Sequence, residues 1–180
     1  MVLVPGTLAL LPQYASLDDP VAELRAACRD AVAWLVEAGP VTIVGDPQGR
    51  RVGEWLVAEA EQAAGVSRLR RQGAFAPQPP EEGAAVLVVG NGSACRTEKA
   101  PGHLDKRAAA FDADLGRRLE DGPSDSLAGI DLELAHELWA SVEGIVELAK
   151  IPDLSLVQVD YEDDPFGVQY WVVRWASQIP

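Results

Sequence analysis

The sequence predicts an α/β fold: a three-layer α/β/α domain with a mostly parallel central sheet and a C-terminal antiparallel hairpin. Three observations carry this. Short apolar runs with the length of buried strands alternate with longer stretches whose apolar residues recur at helical spacing. Glycine, proline and aspartate punctuate the junctions between them. The C-terminal part holds two strand-like runs joined by a short acidic turn.

Met1 to Pro5 reads as the first strand; it lacks the basic start and small-residue cleavage site of a signal peptide. Asp19 is expected to cap a first helix, with Pro20 at its first position, where a missing N–H costs nothing. Val21, Leu24, Cys28, Ala31, Val32 and Leu35 then recur at helical spacing, and Gly39-Pro40 stops the helix. Val41 to Val44 reads as a short buried strand that ends in Gly45-Asp46-Pro47. A second helix is expected over about Val52 to Ala64, with Val52, Leu56 and Ala60 on one face. Ser67 to Gly83 has the composition of a surface connection. A third strand follows at Ala85 to Val89. Leu104 to Leu119 predicts a helix with Ala108, Phe111 and Leu115 on one face, and Leu132 to Lys150 a longer one carrying Leu134, Leu138, Val142 and Ile145. Leu154 to Tyr161 and Val168 to Trp175 read as the hairpin strands, turning through Glu162 to Gly167. All of it reads as one domain over residues 1–180.

Composition narrows the function classes. A chain of 180 residues that is 48% hydrophobic and 24% charged has a globular composition and can bury a core. Its net charge of −13 argues against a nucleic-acid partner, which requires clustered cations. The one basic run, Arg68-Leu69-Arg70-Arg71, is too short to change that. No apolar run reaches the length of a membrane span, so no membrane partner and a cytoplasmic location are expected. Two cysteines, Cys28 and Cys95, make no disulfide framework, and Cys28 falls on the apolar face of the first helix. Twelve of the fifteen basic residues are arginine, which together with the many alanines suggests a GC-rich bacterial source.

In sheets of this kind the functional loops lie beyond the carboxyl ends of the strands. Three loops qualify: Pro5 to Pro12, Gly45 to Arg51, and Gly90 to His103. The third belongs to "VVGNGSACRTEKAPGHLDKRAAAFD", residues 88–112. It begins like a dinucleotide fingerprint, but Cys95 stands where the third glycine belongs. Ser93 lacks the flanking glycines of a nucleophile elbow, and His136 lies within a helix. Arg96 and Lys99 would lower the Cys95 thiol, yet Pro101 stands where a phosphatase-type loop needs arginine. His103 and His136 are the only histidines, too few for a three-histidine metal site. Asp160, Glu162, Asp163 and Asp164 would suit a hard cation or simply a solvated turn. The pocket candidates are therefore Gly6, Thr7, Asp46, Asn91, Ser93, Cys95, Arg96 and His103, with no metal ligands assigned.

Three stretches, "LVPGTLALLP" at 3–12, "VVGNGSACRTEKAPGHLDKRAAAFD" at 88–112 and "VDYEDDPFGVQYWVVRW" at 159–175, give the chain a resemblance that spans nearly its whole length. It resembles the class III extradiol ring-cleavage dioxygenases of the B type, whose fold the Memo-type proteins share, and most of all the small bacterial members described as like them. The resemblance implies a non-haem Fe(II) held by two histidines and a glutamate, with a further histidine serving substrate and oxygen. At the first ligand register this chain has Gly6 or Thr7, and at the second Gly45-Asp46-Pro47. Ala94 stands where the catalytic histidine belongs. The Fe(II) ligands are thus not retained, and no cofactor is expected.

Three readings follow. The first is a non-catalytic dioxygenase-like domain that binds a small molecule in the remnant pocket. The second is an enzyme, either a metal-dependent oxidoreductase or one with replaced chemistry around Cys95 and His103, with Asp46 as an acid/base partner. The third is an assembly component in which the run Tyr170 to Trp175 is a sheet edge open to a homo-oligomer, although a paired core strand is the more frequent fate of such residues.

Overall fold

The computed structural model describes residues 1–14, 19–65, 85–121, 126–151 and 154–177. The connection expected over Ser67 to Gly83, with its Arg68–Arg71 run, lies outside the described residues. The strands are β1 (Val2–Val4), β2 (Val41–Val44), β3 (Ala85–Val89), β4 (Leu154–Asp163) and β5 (Tyr170–Ser177). The helices described are α1 (Ala22–Glu37), α2 (Pro47–Ala63), α3 (Ala108–Glu120), α4 (Leu132–Glu137) and α5 (Glu143–Glu147). None of them is long and apolar enough to cross a membrane.

The five strands form one mixed sheet in the order β2-β3-β1-β5-β4. β1, β2 and β3 run parallel, with Leu3 opposite Val88 and Ile43 opposite Leu87. β5 lies antiparallel to β1, and β4 closes the sheet antiparallel to β5. The fold is the expected α/β sandwich with its C-terminal hairpin.

Alternation along the strands divides the core in two, because successive side chains point to opposite faces. Val2, Val4, Leu87, Val89 and Val172 pack with Leu24, Cys28, Val32, Leu35, Val52 and Leu56 of α1 and α2. Leu3, Val86, Val88, Trp171, Val173 and Trp175 face Phe111, Leu115, Leu119, Leu138 and Ile145 of α3 to α5. Trp175 is fully buried, and its indole N–H donates to Leu119 O at 3.0 Å, so its polar atom is satisfied in the core.

Four local expectations need correction. β2 is an edge strand and only half-buried. The aromatic run Tyr170 to Trp175 takes the paired place that is the more frequent one for such residues: β5 is an interior strand between β1 and β4. The free edge beside it belongs to β4, which carries two register irregularities, a usual means of blunting edge-to-edge pairing. Helix starts also move. α2 begins at Pro47, because Asp46 caps it by accepting from Gly49 N–H at 2.6 Å. α3 begins only at Ala108, since Asp105 N–H donates to Cys95 O and the chain turns there. Asp19 accepts from Val21 N–H and pairs with Arg25, but α1 starts at Ala22, past the expected cap.

The largest correction concerns the long helix expected over Leu132 to Lys150. It breaks into α4 and α5 because Trp139 takes a left-handed backbone (φ 57) and Ser141 leaves the helix to pair with Asn91. That pairing brings the chain against the end of β3. A Cβ on Gly90 would lie 2.5 Å from Ser141 O, so glycine is required there. We expect Gly90→Ala to lower stability by about 1–3 kcal/mol through overpacking. It should read as a lower urea midpoint with an unchanged slope.

Candidate functional site

β1 and β3 end side by side, with Gly90 N–H donating to Val4 O at 3.0 Å. The loops beyond them are filled by chain packed on chain. A Cβ on Gly45 would lie 2.9 Å from Val89 O, and one on Gly144 would meet the same oxygen at 2.9 Å. α5 therefore docks against the ends of β2 and β3 through glycines. Close backbone approach of this kind is what strand-end glycines permit, whether the visitor is a ligand or another segment. Here it is another segment.

Two polar clusters hold this packing. In the first, Asp46 Oδ1 caps α2, and its Oδ2 accepts from Ser141 Oγ at 2.9 Å. Ser141 and Asn91 exchange both backbone hydrogen bonds, at 3.0 and 3.1 Å. Asp46 and Asn91, both candidates, are thus joined through a serine that no sequence motif marks.

The second cluster lies deeper. Ser93 is fully buried; its N–H donates to Asp112 Oδ1 at 2.7 Å and its hydroxyl to Asp112 Oδ2 at 2.6 Å. Arg96 stands 3.7 Å from Asp112 and donates to Asp164 Oδ2 at 2.8 Å. Its backbone N–H donates to Gly167 O, in the β4–β5 turn. Burial pushes the Asp112 carboxyl up from its ordinary value; the two bonds from Ser93 and the Arg96 guanidinium pull it back, and the Asp164 carboxylate pushes it up again. Asp112 carried a readable signal: it sits within the apolar stripe Ala108, Phe111, Leu115 and Leu119, and a carboxylate there requires a partner. Asp164, grouped in the sequence with an acidic turn, is Arg96's partner, while Asp160 pairs instead with Arg174 at 2.5 Å.

The remaining candidates stand apart from these clusters. Gly6 O accepts from Gln48 Nε2 at 2.9 Å, tying the first loop to α2. Thr7 caps the 3-10 turn Leu8–Leu10 and shares a hydrogen bond with Tyr170. The Cys95 thiol is buried and donates to the carbonyls of Gly102 and Leu138. Burial pushes it up, and the carboxylates of Asp105 and Asp112 add to that. Arg96, expected to lower it, is turned toward Asp112 and Asp164. His103 is exposed, with a left-handed backbone (φ 59).

The Fe(II) that the resemblance implies needs imidazole and carboxylate donors with open coordination positions. The residues at those registers do not fit it. Both oxygens of Asp46 accept hydrogen bonds, Thr7 is engaged, and Ala94 is a buried methyl. Among the described residues, no three His, Cys, Asp or Glu side chains are grouped as a metal would need.

Two surface concavities lie to the sides. One, of about 350 Å³, is lined by Ala9, Tyr14, Asp19, Val21, Arg25 and Phe166, between the first loop and the hairpin turn. The other, of about 400 Å³, runs between α3 and α4 with Phe111, Leu115, Ile130 and Leu134 as an apolar floor. None of the eight candidates lines either. Compared with models of known protein families and with curated proteins, the chain matches none.

Three outcomes are expected. Asp112→Ala leaves two buried donors of Ser93 unpaired and should cost about 1–3 kcal/mol for each. Asp112→Asn keeps an acceptor for the N–H and offers its amide to the hydroxyl, so it should cost far less. The pH dependence has a definite sign. A carboxyl raised in the folded state favours folding at low pH, and that contribution is lost as pH rises through the folded value. Wild type should therefore gain on Asp112→Asn as pH falls from neutral, measured by chemical denaturation across pH. The two buried cysteines should react with a thiol reagent only as fast as the protein opens.

Proposed function

We propose that this chain is a non-catalytic small-molecule-binding domain, on a frame similar to that of the class III extradiol dioxygenases. In it the strand-end centre serves as a structural clasp. The observation that carries the reading is the fate of the polar groups. Asp46 accepts from Gly49 and Ser141, Ser93 and Asp112 bond to each other, and Arg96 serves two carboxylates. A reaction centre needs an acid, base or metal ligand free to meet its substrate. At these strand ends Asp46, Ser93, Asp112 and Arg96 meet the protein's own chain, and of the eight candidates only His103 is exposed.

The ligand seat in this reading is the neighbouring cleft at the same end of the sheet. Its volume of about 350 Å³ falls within the range of small-molecule sites. Tyr14 and Phe166 are 49% and 37% exposed and offer it two rings. Arg25 is held by Asp19 and by the carbonyls of Ala9 and Leu10, so it supplies shape more than free charge. A single planar ring of low charge suits such walls.

Metal analysis and a catechol ring-opening assay, on protein prepared with Fe(II) under reducing conditions, test the first half. We expect no stoichiometric iron and no ring opening; finding both would overturn it. Phenol and benzoate serve as probes for the second half. Their addition should shift amide resonances around Tyr14 and Phe166, and Phe166→Ala should abolish those shifts. An unresponsive wild type would sink the binding site.

A further inference from the structure

Trp139 is the feature that neither core nor clasp explains. It is 62% exposed, more than any other large apolar side chain described. Its backbone is left-handed, at the position after a helix where glycine is the ordinary choice. An L-residue is strained there, and an indole left 62% exposed returns little to the fold. The ring rests on the loop after β3, since a Cβ on Gly102 would meet Trp139 Cγ at 3.4 Å. The next residue of that loop, His103, is left-handed as well. Leu104 in that loop and Leu132 at the start of α4 are exposed as well, at 51% and 56%.

Charge divides the two sides of this surface. Residues 97–107 carry three cations, Lys99, Lys106 and Arg107, against Glu98 and Asp105, in a chain of net charge −13; Arg96 is turned away to Asp112 and Asp164. Lys99 and Lys106 are exposed and make no ion pair among the described residues. On the other side, α4 and its cap carry Asp131, Glu133 and Glu137 with no lysine or arginine. Glu133 likewise has no ion pair among the described residues. Arg107 bridges to Glu137 at 2.6 Å and holds the two sides in register.

A two-fold interface brings each patch against its own copy, so a residue on one flank meets the opposite flank of the partner. A surface that is basic on one side of an exposed tryptophan and acidic on the other is complementary to itself under that operation. Tryptophan is also among the residues most enriched at the energetic centre of interfaces. We propose that this face is a self-association surface, through which two copies of this chain pair about a two-fold axis with Trp139 at its centre. The proposal is independent of any ligand in the cleft beside Phe166.

Analytical ultracentrifugation of the full chain, from low to high micromolar concentration, tests it. We expect a reversible dimer, weakened about tenfold or more by Trp139→Ala. Trp139→Gly, which relieves the left-handed strain, should weaken the dimer equally while raising the melting temperature of the monomer. This separates loss of the interface from loss of the fold. The double variant Lys99→Glu/Lys106→Glu and the single variant Glu133→Lys should each pair poorly alone, and their equimolar mixture should pair better than either. A wild type that stays monomeric throughout overturns the proposal. So does a dimer indifferent to Trp139, or a mixture that associates no better than its components.

Discussion

The buried pair of Ser93 and Asp112 is the contact on which the carboxyl end of this domain depends. A carboxylate without solvent is tolerated only when its oxygens are met by donors. Ser93 meets both, one with its N–H and one with its hydroxyl. The bond joins the loop after β3 to α3. Arg96, three residues along, carries the connection to the β4–β5 turn through Asp164 and Gly167. The helix layer, the parallel strands and the terminal hairpin are thereby held to one loop. The serine hydroxyl can donate or accept, so the pair survives protonation of the carboxyl, which burial favours.

The same economy shapes what the site can do. Loops at the ends of parallel strands are the usual place for ligands because backbone groups and glycines converge there. In this chain α5 and the Ser141 segment occupy that place, close enough to require Gly45, Gly90 and Gly144. Asp46, Ser93, Cys95 and Asp112 turn inward, while His103 stays outside on a surface that is otherwise aromatic and charged. Binding at the flanks, through Phe166 on one side and Trp139 on the other, is the kind of function such a surface supports.

Legibility from the sequence follows the range of the interactions. The bounds of β2 and β3 are readable to the residue, since short runs rich in Val, Ile and Leu between turn residues mark strands of a parallel sheet, but the edge position of β2 is not. Helix starts are less readable: Asp46-Pro47 looks like a turn until Gly49 N–H is seen to use the aspartate as a cap. The break at Trp139 has no local cause. The apolar spacing from Leu134 to Ile145 continues through it, and only pairing with Asn91 pulls Ser141 out of the helix. Of the site, Asn91, Ser93 and Arg96 stand out in the sequence, whereas their partners Ser141, Asp112 and Asp164 lie far along the chain.

Read alone, the sequence set the class of fold and the succession of its strands along the chain. These are matters of residue type and short-range spacing. Tertiary packing set which segment lies against the end of β3, where the polar side chains find their partners, and that Trp139 is left outside. Those outcomes depend on which distant segments meet at the end of the sheet. No local pattern encodes that meeting, because the free energy that drives it is released only when the whole domain packs.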